Sequence, residues 1–103
     1  MMELTSKQRK VLEKAAHSLE PVVIVGQNGV TASLEDMTKV QLAKHELIKV
    51  KFNEFKEEKK TLSLEIAEAC DATLIRIIGN IAILYKESEE ADNRKYSAAL
   101  AKA

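Results

Sequence analysis

Tryptophan is absent from this sequence, and cysteine and proline occur once each among 103 residues. A lone Cys70 can form no internal disulfide and has no second thiol for a zinc site, which agrees with a reducing compartment. Long apolar runs are missing too. The longest, residues 22–25 and 81–85, fall far short of the ~20 residues of a membrane-spanning helix, so no membrane partner is expected. Met1, Met2 and Glu3 open the chain without the basic start and apolar stretch of a secretory leader, and cytoplasmic residence is the expectation. Charge of one sign is also lacking: 16 basic and 16 acidic residues cancel. The molecule as a whole has no field that would draw it onto nucleic acid, so any such binding must come from a local patch.

What is present is the composition of one soluble domain, 46% hydrophobic and 31% charged, too short for two cores. Thr5 and Gln8 have the spacing of a capping box and predict a helix start. Val11, Leu12, Ala15, Ala16 and Leu19 then recur at helical spacing, giving an amphipathic helix over 6–19 that Pro21 ends. Beside its apolar face Lys7, Lys10, Lys14 and His17 fall on one stripe. Residues 22–25 are a β-branched run between Pro21 and Gly26, expected as a central strand buried on both faces of a parallel sheet. Thr31 or Ser33 can cap a second helix running to about His45, with Leu34, Met37 and Leu42 on a narrow apolar stripe that also contains Thr38 and Gln41.

Over residues 47–53, Ile48, Val50 and Phe52 alternate with Lys49 and Lys51, which predicts a strand with one apolar and one exposed basic face. After a charged connection over 54–60, Leu62, Ile66, Ala69 and Cys70 mark a third helix, from whose stripe Leu64 departs. Residues 74–78 and 81–85 flank Gly79 and Asn80 as an antiparallel hairpin. Residues 87–103 read as a polar C-terminal tail, frayed or loosely helical, which leaves 1–86 as the domain. The order is αβαβαββ, an α/β fold.

Few residues carry the pattern of chemistry. His17 and His45 lack a second histidine or cysteine at metal-ligand spacing, and Cys70 sits on an apolar stripe where a thiol acts as a small hydrophobe. Glu57, Glu58, Glu65 and Glu68 alternate with lysines as solvated helix faces do and single out no acid–base pair. No enzyme, cofactor, metal or small-molecule substrate is expected. The exception is Gly26, Gln27, Asn28 and Gly29, a GxxG loop between a strand and a helix. There Gly26 or Gly29 should take positive φ and let a phosphate backbone approach exposed amides. KH modules hold single-stranded RNA with such a loop, although an ordinary strand-to-helix turn also favours Gly and Asn.

A longer pattern extends this. Residues 4–10, Ala16 with His17, residues 21–31, residues 45–51, and Ile78-Gly79-Asn80 through Leu84-Tyr85-Lys86 together resemble the YhbY family. This is the bacterial single-domain form of the CRM domain, named for chloroplast RNA splicing and ribosome maturation. The resemblance implies a four-stranded mixed sheet like the C-terminal domain of a bacterial translation initiation factor. It also implies a non-catalytic protein that binds ribosomal RNA of the large-subunit precursor, with the GxxG loop as contact. The chain departs from the family pattern at Gln27, where a basic residue is usual, and at Lys86, where Arg is common. The RNA-binding set is therefore expected at Lys7, Lys10, Lys14, Gly26, Gln27, Asn28, Gly29, Lys49 and Lys51, on a monomer. The alternative from another class is a protein–protein interaction module whose lysines only keep the surface soluble. Two Phe and two Tyr offer little for stacking platforms of the RRM or OB kind.

Overall fold

The computed structural model describes residues 2–103. Its first seven elements follow the expected order: α1 (Ser6–Ala16), β1 (Val23–Val25), α2 (Ala32–His45), β2 (Leu47–Phe52), α3 (Lys59–Ala69), β3 (Thr73–Ile78) and β4 (Ile81–Tyr85). A 3-10 turn (Ala91–Asn93) and a short α4 (Ser97–Lys102) follow. The strands form one mixed sheet in the order β1-β2-β4-β3. β1 pairs parallel with β2, and β4 is antiparallel to both β2 and β3.

Strand alternation divides the interior into two cores. Val23, Val25, Ile48, Val50, Phe52, Ala82 and Leu84 face α2 and α3, meeting Leu34, Leu42, Ile66 and Ala67. Leu47, Ile83 and Tyr85 point the other way onto Leu12, Ala16 and Leu100. The capping box of α1 is complete: Gln8 N–H donates to Thr5 Oγ1 at 3.1 Å and Thr5 N–H to Gln8 Oε1 at 2.9 Å. In α2 the cap is Thr31, whose Oγ1 accepts from Leu34 N–H at 3.1 Å.

A bulge between Leu74 and Arg76 sets both Ile75 and Arg76 on the α1 side. Ile75 is thereby buried under α1, and Arg76 reaches Glu13 at 2.7 Å. The bulge interrupts the ladder, and Arg9 Nη1 satisfies the carbonyls of Leu74 and Ile75 at 2.9 and 3.2 Å. Arg9 is thus part of the scaffold.

Four expectations need correction. The first helix ends at Ala16, because Leu19 N–H turns back to Ala16 carbonyl at 3.0 Å and the chain reverses before Pro21 is reached. β1 is an edge strand buried on one face only, with Ile24 51% exposed; a three-residue strand packed on α2 needs only Val23 and Val25 inside. On α2 the stripe is buried at Leu34, Thr38 and Leu42 as expected, but Met37 is exposed; Thr38 is accommodated by donating to Leu34 carbonyl at 2.7 Å. On α3 it is Ala67, not Ala69, that is buried, and Leu64 lies exposed off the stripe.

The C-terminal segment is not frayed. Leu100 is buried in the α1-side core and Tyr96 packs against it, its ring edge-on to Tyr85 with centroids 6.2 Å apart. Glu46, buried, accepts from Ser88 N–H and Lys95 N–H at 2.6 Å each through its two carboxylate oxygens. Those bonds satisfy backbone groups of a polar stretch that has few apolar side chains of its own to bury.

Candidate nucleic-acid interface

β1 and β2 run parallel, so the loops that leave them emerge side by side. Asn53 and Glu54 N–H both donate to Val25 carbonyl, at 3.0 and 3.3 Å, and tie the second loop to the root of the first. The β3–β4 turn joins them: Phe52 N–H donates to Asn80 carbonyl at 2.8 Å, and Lys59 Nζ to Asn80 Oδ1 at 3.3 Å. Three loops are therefore fastened together at one end of the sheet.

Within the GxxG loop Gly29 N–H donates to Gly26 carbonyl at 3.0 Å, closing a tight turn with Gln27 and Asn28 exposed at its tip. Among the described residues neither tip amide has a hydrogen-bond acceptor. Gly29 has φ +68°, a region that L side chains rarely adopt, whereas Gly26 is not in that region and a Cβ there would meet open space. The expectation of positive φ at one of the two glycines thus falls on Gly29. A Cβ on Gly29 would also lie 3.3 Å from Phe55 Cε2. Phe55 rests on this glycine with 42% of its surface exposed.

Lys7, Lys10 and Lys14 are exposed on α1. Among the described residues none of them enters a salt bridge. The helix packs on β2, β3 and β4, so this stripe and the GxxG loop occupy separate stretches of surface. Between them lies the part of the sheet that α1 leaves open, where Ile24, Lys51, Ile81 and Ile78 stand in register across the four strands. Lys51 is exposed there. Lys49 differs from expectation: it is half-buried, and its Nζ donates to Leu19 carbonyl at 3.0 Å. The basic face of β2 is therefore one free lysine and one that fastens the chain beyond α1.

The interface also includes residues that periodicity did not mark. Lys59 and Lys60 occupy the first turn of α3, which has no acidic residue, directly after the exposed Glu57 and Glu58; cations there oppose the helix dipole. Phe55 was hidden in a charged connection. Its only sequence signal is an aromatic among Glu54, Lys56, Glu57 and Glu58.

Burial pushes the Cys70 thiol above its ordinary pKa, and its Sγ lies 3.6 Å from Glu35 carbonyl as a weak donor, the opposite of an activated nucleophile. Tyr85 is pushed up to about 12, first by burial and then by the Glu46 and Glu87 carboxylates, so it remains a neutral core residue. His17 and His45 are both exposed, and among the described residues no three His, Cys, Asp or Glu side chains stand together as metal ligands would. Among the described residues no helix is long and apolar enough to cross a membrane.

Comparison with known proteins locates this architecture. The chain is 40% identical over 92 residues to a Haemophilus influenzae protein named RNA-binding protein, covering 88% of this chain and 93% of that one. It is 35% identical over 88 residues to a Bacillus subtilis protein named as a probable RNA-binding protein, covering 84% and 92% respectively. The solution structure of a Staphylococcus aureus protein, described as hypothetical and a candidate RNA binder, superposes with a TM-score of 0.75 at 32% identity. That match covers 90% of this chain and 98% of the other. A family model described as the CRS1 / YhbY (CRM) domain matches residues 4–86, from the capping box of α1 to the residue after β4. The chain belongs to the CRS1 / YhbY (CRM) domain family.

Proposed function

We propose that this protein binds RNA without catalysing a reaction, and that its target is ribosomal RNA in the precursor of the large ribosomal subunit. The observation that carries the reading is the GxxG turn: two exposed tip residues with unbonded amides, closed by a glycine at φ +68°, in a chain whose relatives are named RNA-binding proteins. The left-handed φ of Gly29 closes the turn that presents the tip amides, and these amides and the Gln27 and Asn28 side chains supply hydrogen bonds to a sugar–phosphate backbone. Gln27 contributes no cation, so most of the Coulombic attraction must come from elsewhere. The exposed Lys7, Lys10 and Lys14 stripe supplies it, with Lys51 between the two and Lys60 at the loop end; Lys59 is engaged with Asn80. Lys49, engaged with Leu19, contributes less.

Such contacts recognise backbone and shape more than base sequence, which suits a folded ribosomal RNA target. Each phosphate neutralised on single-stranded RNA adds about −0.7 to the slope of log K against log salt. Replacing Lys7, Lys10 and Lys14 together by Gln should flatten the slope by about two units; an unchanged slope would return the stripe to a merely solvated face. For the target, sedimentation of a cell extract at low salt should place the protein with particles lighter than the mature large subunit, and added salt should release it. Migration at the top of the gradient under all conditions, or with translating ribosomes, removes the assembly role.

A further inference from the structure

We propose that Phe55 is a stacking platform for one unpaired base of the RNA strand held at the GxxG loop. The inference rests on the RNA-binding reading above and adds to it a requirement for a flipped-out or single-stranded nucleotide at this position.

The chain has four aromatic residues. Phe52 and Tyr85 are buried in the two cores and Tyr96 is packed against Tyr85, whereas Phe55 is 42% exposed. Its backbone is held at φ +55°, an outlier for a bulky side chain that persists only where surrounding structure imposes it. Here three backbone bonds do so: Asn53 and Glu54 N–H to Val25 carbonyl, and Glu58 N–H to Phe55 carbonyl at 3.1 Å. The result is an aromatic ring fixed beside the GxxG turn instead of folded into the interior.

Gly29 acquires a second role from this contact. Its missing side chain lets the ring close on the loop, since a Cβ would approach Phe55 Cε2 to 3.3 Å. A ring resting on the turn at Gly29 is placed to receive a base whose phosphates are held at the tip by Gln27 and Asn28. Lys56 and Lys60 nearby stand among the exposed Glu54, Glu57 and Glu58, so the platform attracts RNA by stacking and not by charge. Base–aromatic stacking tolerates any base because each has a π-face, so the platform reads strandedness and not sequence. An exposed Phe could instead anchor a protein, but the GxxG turn it rests on, with two exposed and unbonded tip amides, favours a nucleic-acid strand.

The absence of tryptophan gives a direct test. A Phe55→Trp variant carries a single tryptophan at the proposed contact, which can be excited at wavelengths where the two tyrosines do not absorb. Titration with a short single-stranded oligoadenylate should quench its emission, and a blunt RNA duplex of the same length should not. Phe55→Ala should weaken single-strand binding about fivefold or more, the range of one lost stacked base, with an unchanged salt slope, and Phe55→Tyr should restore it. Phe55→Gly, which suits the positive φ, should match the Ala variant and guards against a folding defect. Unaltered affinity in the Ala and Gly variants, or equal quenching by duplex, overturns the proposal. If those variants bind normally while the triple lysine variant loses salt dependence, stacking fails and the RNA-binding reading stands. If the unaltered protein binds neither oligoadenylate nor structured RNA, both fail.

Discussion

The two ends of β2 use the same backbone irregularity in opposite ways. Glu46, just before the strand, has φ 62°, and Phe55, three residues after it, has φ 55°; neither residue type favours that region. Glu46 is 1% exposed, and its strain is offset within the chain, since its carboxylate takes two backbone N–H groups at 2.6 Å and its carbonyl a third from Lys86 at 2.9 Å. Short bonds to an ionised acceptor are among the stronger ones a protein makes. Phe55 has one backbone bond, to its carbonyl from Glu58 N–H at 3.1 Å, and its side chain rests on Gly29 and stays exposed. One end of the sheet is therefore a clasp that recruits residues 87–103 into the structure, and the other is a surface whose strain is not recovered by folding. That contrast separates stability from function along a single strand.

The sharpest way to break the contrast is Glu46→Ala. It leaves the Ser88 and Lys95 amides without acceptors and should cost about 3 kcal/mol in urea unfolding, with RNA affinity nearly unchanged. A loss below about 1 kcal/mol would show that water replaces the carboxylate and that the clasp is incidental.

The next effect is alkaline. Tyr85 sits at the Glu46 end, opposite Leu47. Its phenol is pushed up from 10.0 to about 12 in the folded protein, so the unfolded chain releases the proton first as pH rises. Stability is undiminished below pH 10 and falls between about 10 and 12. Screening keeps the loss to about 2 kcal/mol or less. Tyr85→Phe should remove this part of the pH dependence, measured as the difference between the two proteins; parallel curves would contradict the assignment.

Smaller again are the glycines. Gly29→Ala should cost about 1–2 kcal/mol from the left-handed backbone alone and also shift Phe55. Gly79→Ala has φ +59° but open space around its Cβ, so it should cost the backbone strain and leave RNA binding intact. Gly26→Ala should be within about 0.5 kcal/mol of the parent. Equal RNA affinities for Gly29→Ala and Gly26→Ala would remove the special role of the turn. Last, Phe55→Gly should change stability by less than about 1 kcal/mol, because relief of the backbone offsets the lost contact, while single-strand binding drops. A large destabilisation would make Phe55 a second clasp and erase the comparison.

Much of this was legible before the structure. The capping box at Thr5 and Gln8, the alternation through β2, the Gly79-Asn80 hairpin and the glycine turn are local signals, and local hydrogen bonds realise them. What stayed hidden depends on partners distant in sequence. A β-branched triplet such as Val23, Ile24 and Val25 has the same composition at an edge or in the centre of a sheet, and only the sheet order decides. Lys49 alternates like Lys51, yet the carbonyl of Leu19, thirty residues earlier, takes its ammonium. Residues 87–95 look solvated in sequence, yet the amides at two of their positions, Ser88 and Lys95, are held by Glu46 more than forty positions away. Of the candidate site, the glycine loop and the α1 lysines could be picked out from spacing. Phe55 could not, since an aromatic in a charged connection is ordinarily read as core, and its exposure follows from the three-loop fastening at the sheet end.

Amide chemical shifts of the isotopically labelled protein, followed during titration with a short single-stranded RNA, address both ends of β2 in one experiment. Binding at the loop end should move the signals of residues 26–30, 53–60 and the lysine face of α1, and leave Glu46, Ser88 and Lys95 in place. Shifts confined to residues 86–96, or none at RNA concentrations that saturate a related CRM-domain protein, would contradict a GxxG-centred RNA site.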